Sequence, residues 1–278
     1  MPKTKLPLEP GAVLDVVKEL RAEAQRDAPL VVSGAPELAS TLRRELVRGG
    51  VASAVREQGP LEDAAALVHV VAGPVDEEDE RALKQAARKR IPIVVVTSGR
   101  PTDPVVHIPY VLDVNVVRVA PGGGFPVPRI AERLAHALGD AGTALAARLP
   151  ILRRPVCEEL IRRYSRRNAF VGAAIFLPGA DLPVLTLNQI RLVLRIADAY
   201  GFEIDRERLP EVLGVIGSGL GFRALARRSI GFVPFVGWAI KGAVAYAGTR
   251  ALGEAAMRYF ERRAPVTRIA GARTLFPR

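Results

Sequence analysis

Short apolar runs alternate with longer amphipathic segments through the first half of the chain. The runs at 30–33, 51–55, 66–72, 93–97 and 116–119 are rich in valine and short, as buried parallel strands are. Apolar residues at helical spacing predict helices at 12–26, 36–48, 76–90 and 126–138. This alternation predicts an α/β fold with a doubly wound, mainly parallel sheet covered on both faces.

The pattern changes near residue 148, where glycines and prolines cluster and strand alternation stops. We therefore predict an α/β domain over residues 1–147 and an all-α helical domain over residues 148–278. The second domain should contain an arginine-dense helix at 153–168, an apolar stretch at 169–177, and apolar helical segments at 210–226 and 230–259. Between them, a capping box of Thr186 and Gln189 predicts an amphipathic helix that ends at Tyr200 and Gly201.

Positive charge is confined to the second half of the chain. Residues 1–147 carry 18 Lys/Arg against 19 Asp/Glu, whereas residues 148–278 carry 22 against 10. Lys241 is the single lysine among those 22. Arginine binds phosphate in a bidentate manner, so this half is expected to attract polyanions such as phospholipid headgroups or nucleic acid.

Candidate chemistry is sparse. The single cysteine, Cys157, excludes an intramolecular disulfide and a multi-cysteine metal site, and no secretory signal follows Met1, which favours the cytoplasm. His69, His107 and His136 have no metal-ligand spacing and are interpreted as structural or surface residues. Neither a metal nor a cofactor is expected. The glycines at 122–124 suggest a flexible loop, with an anion site at the next helix as the alternative.

The turn after the first predicted strand stands where a P-loop would lie. That loop needs two glycines, a lysine and a Ser/Thr in the pattern GxxxxGK[ST]. Gly34 and Thr41 fit, but Ala39 and Ser40 replace the second glycine and the lysine. Without that lysine a triphosphate loses its main cation, so no nucleotide binding is expected at these four residues.

The order of elements resembles small bacterial GTPase domains of the ribosome-biogenesis and tRNA-modification type. Where that family has its guanine-reading NKxD, this chain has TSGR at 97–100, and GPVD at 73–76 gives no usable DxxG. The resemblance therefore implies a degenerate, nucleotide-free GTPase-like domain and no hydrolase activity. A flavodoxin-like or Rossmann-like fold is the alternative.

The second half resembles the bacterial helical domain of unknown function six-nine-seven, which commonly follows a GTPase domain or a degenerate one. The matching segments are LPGAD at 177–181, NQIR at 188–191, LRIA at 194–197, YG at 200–201, VPFVGW at 233–238, TRALG at 249–253 and YF at 259–260. Their structural motif residues are Pro178, Gly179, Asp181, Gln189, Tyr200 and Gly201. The resemblance implies a helical architecture and association with membranes or GTPase partners, without a reaction.

The apolar helices of the second half are predicted to lie at a membrane surface rather than to cross it. Residues 230–249 are long enough to span a bilayer, but Lys241 opposes burial and Pro234 interrupts the helix. Clustered arginines beside apolar segments favour anionic lipid. The expected membrane or anion contacts are Arg153, Arg154, Arg162, Arg163, Arg166, Arg167, Arg227, Arg228 and Trp238. A solvated helix face in a tightly packed soluble bundle is the alternative.

These features together predict a non-catalytic adaptor or scaffold at the inner face of the membrane. Its expected partners are an anionic membrane surface, a protein such as a GTPase, and a second copy of the chain. The alternative is a soluble nucleic-acid- or ribosome-associated basic protein, which the excess of 12 positive charges in the second half would suit. Few aromatics and no nucleic-acid motif make that partner less favoured. A hydrolase with a non-standard site ranks last.

Overall fold

The computed structural model describes residues 27–99, 107–174, 182–202 and 237–264, with a few single residues outside these ranges. The chain divides into two compact units, Arg26–Val156 and a second built mainly on Cys157–Ala264. The division falls inside a helix, whereas the sequence predicts a domain boundary near residue 148.

The first unit is built on a five-stranded, entirely parallel sheet. Its strands are β1 (Leu30–Gly34), β2 (Val55–Glu57), β3 (Ala66–Val71), β4 (Ile93–Ser98) and β5 (Val116–Val119). They lie in the order β2-β1-β3-β4-β5. This order is the one that flavodoxin-like doubly wound folds use. The predicted α/β class and parallel sheet are confirmed.

In the described part of this unit, the sheet is accompanied by α1 (Pro36–Val47), α2 (Glu77–Arg88), α3 (Val127–Leu138) and the short α4 (Gly142–Arg148). Because parallel crossovers are right-handed, and β1 to β2 runs in the opposite direction to β3 to β4, α1 and α2 lie on opposite faces. All six residues of β3 are buried, as expected for a central strand covered on both sides. The predicted helices 36–48, 76–90 and 126–138 are confirmed to within two residues.

The second predicted strand is shifted. The structure has a 3₁₀ turn at Ala52–Ala54, and β2 begins only at Val55. The amide of Ala54 donates to the carbonyl of Val51, and the amide of Val51 donates to the carbonyl of Arg148. These bonds close a turn before Val55 reaches its partner Leu30 in β1. Of the strand predicted at 51–55, only Val55 lies in β2, so the prediction is wrong for the other four residues.

The helical unit contains α5 (Pro150–Ala174), which begins before the division, followed by α6 (Leu182–Ala199) and α7 (Gly237–Glu261). Small residues let α5 and α7 approach closely. A Cβ built on Gly172 would lie 3.0 Å from the Ala245 Cβ, and one on Gly242 would lie 3.0 Å from the Ala169 carbonyl oxygen. Among the described residues 157–264 there is no β-strand, as the sequence predicts.

A buried polar network joins the three helices. Asn168 on α5 donates to the hydroxyl of Thr249 on α7 at 2.8 Å and accepts from the amide of Asn188 on α6, also at 2.8 Å. The Gln189 amide reaches the same hydroxyl at 3.5 Å. Buried amides are tolerated when their hydrogen bonds are satisfied, and such a network fixes the register of the helices that share it.

The predicted start of the amphipathic helix is wrong, and its end is confirmed. α6 begins at Leu182, so Thr186 and Gln189 lie inside the helix and form no capping box. Pro183 is compatible with a first helical turn because the amide it lacks has no acceptor there. At the other end, Tyr200 is buried and Gly201 has φ +76, with its amide bonded to the Asp198 carbonyl. That left-handed glycine terminates the helix.

Candidate functional site

The turn after β1 has no room for a phosphate-wrapping loop. Gly34 closes β1, and only Ala35 separates it from the first residue of α1, Pro36. Ala39 is buried inside that helix. A P-loop holds phosphate by extended backbone ahead of the helix, whereas here the equivalent residues are already helical. That these residues bind no nucleotide stays a prediction.

The two hydroxyl residues at this position have partners within the unit. Ser40, which stands in place of the P-loop lysine, donates to Glu57 at the end of β2 at 2.8 Å. Thr41 donates to the Glu37 carbonyl at 2.9 Å and accepts from Arg44 at 3.1 Å. These bonds fasten α1 to the sheet and to itself, which is a structural use of both side chains.

The order of the sheet reverses between β1 and β3. In doubly wound folds, ligands bind outside the carboxyl ends of the strands at that reversal. Gly34 forms part of this edge and has φ +96. A Cβ there would lie 2.0 Å from the Val70 carbonyl oxygen, so only glycine allows β1 to run this close to β3.

Three side chains at this edge form a continuous hydrogen-bonded chain. Ser33 on β1 and His69 on β3 are register partners, and the Ser33 hydroxyl oxygen lies 2.8 Å from His69 Nδ1. On the other side of the ring, His69 Nε2 lies 2.7 Å from an Asp79 carboxylate oxygen. The imidazole is 2% exposed, whereas Ser33 and Asp79 are half-buried.

The carboxylate determines how the proton is placed on the imidazole. An ionised Asp79 only accepts hydrogen bonds, so Nε2 carries the proton and donates it. Nδ1 is then the acceptor, and the Ser33 hydroxyl donates to it. This is the arrangement of a hydroxyl beside a general base that a third group orients.

The cap of α2 holds Asp79 in place. Asp76 is the N-cap residue, and its carboxylate accepts from the amides of Glu78 and Asp79 at 2.9 and 2.8 Å. The second Asp79 carboxylate oxygen accepts from the Asp76 amide at 3.3 Å, which completes a capping box. One oxygen of Asp79 therefore fixes the helix start while the other holds the imidazole.

Sequence reasoning missed this chain of side chains, although it correctly predicted the elements that carry it. His69 is buried, as its interpretation as a structural residue requires, but its two partners are 36 and 10 residues away in the chain. His107 and His136 are both exposed. Among the residues that the structure describes, no group of three or more His, Cys, Asp or Glu side chains is placed to hold a metal ion.

The helical unit presents a row of arginines on one face of α5. Arg162, Arg163, Arg166 and Arg167 are all exposed, and they alternate with the buried Tyr164, Ser165 and Asn168. Positions three and four apart lie on the same face of a helix. Phe170, which is 75% exposed, continues that face one turn after Arg166 and Arg167.

Phe170 lies at the end of the unit where α5 finishes and where α6 and α7 begin. Gly172 on α5 packs against Ala245 and the Lys241 carbonyl on α7, which places the two helix ends side by side. Three aliphatic side chains are exposed near this end: Val184 on α6, and Ile240 and Val244 on α7. We call these three residues with Phe170 the apolar end, and the four arginines the arginine row.

The remaining predicted contact residues have different environments. Arg154 is exposed, but Arg153 is 9% exposed and its guanidinium reaches the Ala147 carbonyl at 3.5 Å. Arg153 as a membrane contact is therefore wrong, because its side chain points into the protein. Trp238 lies in the first turn of α7, with its side chain outside the description. Five further predicted residues lie outside the described residues: Pro178, Gly179, Asp181, Arg227 and Arg228.

None of the helices that the structure describes combines the length and the hydropathy needed to cross a bilayer. Comparison of the chain with protein-family models, with curated proteins and with solved structures found no match. The resemblances to GTPase domains and to the helical family therefore stay predictions.

Proposed function

We propose that this protein is a membrane-surface adaptor whose helical unit docks on anionic lipid. The observation that carries the proposal is the continuity of the arginine row with the exposed Phe170 on one face of α5; the other side chains of the apolar end are exposed near the same end of the unit. Interfacial helices use this combination, because the apolar side chains enter the headgroup boundary while cations meet the phosphates.

The magnitudes favour reversible docking. Each arginine near an anionic leaflet contributes about 1 kcal/mol. Full burial of one large apolar side chain contributes about 1.5–3 kcal/mol, and Phe170 is three-quarters exposed before docking. Glu159 already pairs with Arg162. The other three arginines of the row, with one aromatic and three aliphatic side chains, are enough for surface attachment that salt weakens. The inner, anionic face of a cytoplasmic membrane is the surface that fits.

The adaptor role also needs a surface for a protein partner, and the α/β unit supplies a candidate beside its edge strand β5. Tyr110, Leu112 and Val114 are exposed immediately before that strand, and Leu112 is 70% exposed. Exposed apolar groups next to an open sheet edge are typical of protein–protein contacts. We propose that a protein such as a GTPase docks here, on a scaffold derived from a GTPase-like domain that no longer holds nucleotide.

The second candidate function is binding to RNA, for which the same arginines would contact phosphates. The apolar end distinguishes the two, because three of its four side chains are aliphatic. Single-stranded nucleic acid is held by aromatic side chains stacked on bases, and aliphatic groups add little to that contact.

Vesicle flotation with the full chain tests the proposal. We expect recovery with vesicles of phosphatidylcholine mixed with phosphatidylglycerol, and little with phosphatidylcholine alone. Phe170→Ser should weaken recovery, whereas Leu112→Ser, an equally exposed apolar site on the other unit, should not. Tight binding to a polyuridine RNA with no flotation would reverse the order of the two functions.

A further inference from the structure

The chain of Ser33, His69 and Asp79 has a chemical capability that membrane docking does not use. We propose that Ser33 is a nucleophile for acyl transfer, with His69 as its general base and Asp79 as the group that orients the base. The inference is independent of the proposed adaptor function. It rests on two hydrogen bonds, on the burial of the ring and on the position of the three residues in the sheet.

The geometry meets the requirements for an activated hydroxyl. A base must lie within about 2.6–3.2 Å of the proton-bearing oxygen, and His69 Nδ1 lies 2.8 Å from the Ser33 hydroxyl oxygen. The base must keep one tautomer, and the 2.7 Å contact to Asp79 fixes it. Burial of the imidazole keeps water from competing for both hydrogen bonds.

The position at the sheet edge makes the hydroxyl reachable. Ser33 is half-buried and stands one residue before the end of β1, at the reversal of strand order where a ligand can enter. The helix α1 follows directly, and its N-cap residue Ala35 provides no side-chain acceptor for the first-turn amides. Pro36 has no amide proton and the Ala39 amide donates to the Ala35 carbonyl, so the first-turn donors that an oxyanion could use are the amides of Glu37 and Leu38.

The charges around this edge select a neutral substrate. The first turn of α2 contains Glu77, Glu78 and Glu80, and the first turn of α1 contains Glu37. Four carboxylates at the edge repel phosphates and carboxylates. A small carboxylic ester is therefore the class of substrate that fits.

The reaction balances with water as the only co-reactant. The Ser33 hydroxyl oxygen bonds to the acyl carbon, its proton passes to His69 Nδ1, and the ester C–O bond breaks. The leaving alkoxide takes that proton from the imidazole and departs as an alcohol. Water then attacks the acyl-serine, His69 takes a proton from the water and returns it to the serine oxygen, and a carboxylic acid is released. Asp79 stays ionised throughout.

A fluorophosphonate probe applied to the folded full chain tests this inference. Mass spectrometry is expected to find the adduct on Ser33, and Ser33→Ala should abolish it. His69→Gln and Asp79→Asn should slow labelling by about a hundredfold or more, since general-base assistance contributes roughly 10²–10⁴-fold. Ser40→Ala is the matched control, because its hydroxyl is bonded to Glu57 and should not affect the rate.

A purely structural clamp predicts the opposite results. It gives no adduct at Ser33 of the folded chain, or an adduct that forms equally fast in Asp79→Asn, and either result overturns the proposal. If circular dichroism shows that His69→Gln does not fold, the labelling rates of the unaltered chain and of Asp79→Asn still distinguish a nucleophile from a structural clamp. Flotation of the same variants should be unchanged, so failure of this inference and failure of membrane docking are separately visible.

Discussion

Removing three charges from the arginine row should release the protein from anionic membranes. The change is the combination Arg163→Gln, Arg166→Gln and Arg167→Gln, which leaves out Arg162 because its guanidinium is paired with the nearby Glu159. All three side chains are exposed, so glutamine leaves the buried side of α5 intact. Circular dichroism of the triple variant checks that it folds, so that a loss of binding can be assigned to the arginine row.

The size of the effect follows from the number of charges. At about 1 kcal/mol for each arginine, three substitutions remove about 3 kcal/mol. Since about 1.4 kcal/mol is a factor of ten in an equilibrium constant, partitioning onto anionic vesicles should fall about a hundredfold at low salt. The difference should shrink as ionic strength rises, because screening weakens exposed charges first.

A matched control separates the arginine row from net charge. Arg81, Lys84 and Arg88 are exposed at helical spacing on α2 of the other unit. Changing these three to glutamine removes the same charge and should leave vesicle partitioning within a few-fold of the original. Equal losses in both triple variants, or no loss in the first, would refute the docking face proposed for α5.

Three further predictions concern the two units. Gly34→Ala should lower the free energy of unfolding of the α/β unit in urea by roughly 3 kcal/mol or more, because Gly34 has a positive φ and an alanine Cβ would lie 2.0 Å from the Val70 carbonyl oxygen. Gly49→Ala is the control: Gly49 also has a positive φ but has open space around it, so the loss should be about 1 kcal/mol. Asn168→Ala should cost about 2–4 kcal/mol by the same measurement, because Thr249 and Asn188 lose their buried partner; a loss below about 1 kcal/mol would contradict the network. The pKa of Glu62 is lowered, chiefly by its hydrogen bond from Lys89, so its NMR titration midpoint should lie below 4.5 and rise in Lys89→Gln. Because the pKa of Glu62 is lower in the folded protein than in the unfolded chain, its carboxylate stabilises the fold at pH values above the pKa of the unfolded chain. That stabilisation is lost as the pH falls through the pKa of the folded protein.

Burial also acts on one cation of the α/β unit. The guanidinium of Arg148, at the end of α4, donates to the carbonyls of Asp27 and Ala28, which precede β1. Burial lowers the pKa of Arg148, while the nearby Asp27 carboxylate opposes that shift. A guanidinium stays charged over the whole physiological pH range. The contact therefore holds the segment before β1 against α4 at every physiological pH.

The proposed nucleophile bears directly on the expectation that this protein is not an enzyme. That expectation rests on the loss of the P-loop residues, and this loss argues only against the binding and hydrolysis of nucleoside triphosphates. The short β1–α1 turn and the acidic helix starts both oppose a phosphate ligand. They do not oppose a neutral ester, so labelling of Ser33 would show that expectation to be wrong while leaving the nucleotide argument intact.

The amino-acid sequence alone determined most elements of the α/β unit, with β2 and the short α4 as the exceptions. Runs of valine bury both faces of a central strand, and β3 is found where its run predicts it. Local chemistry also placed the end of α6, since Gly201 can take the left-handed conformation that stops a helix. Such features depend on a few neighbouring residues, which the sequence displays directly.

Only the tertiary structure decided which side chains meet and which face solvent. Arg153 and Arg154 are neighbours of the same type, yet one is buried and the other is exposed, because a helix rotates successive residues to different surroundings. Ser33, His69 and Asp79 come together because β1 pairs with β3 and α2 returns over that face. Contacts of this kind depend on strand order and helix placement, which no local pattern of residues encodes.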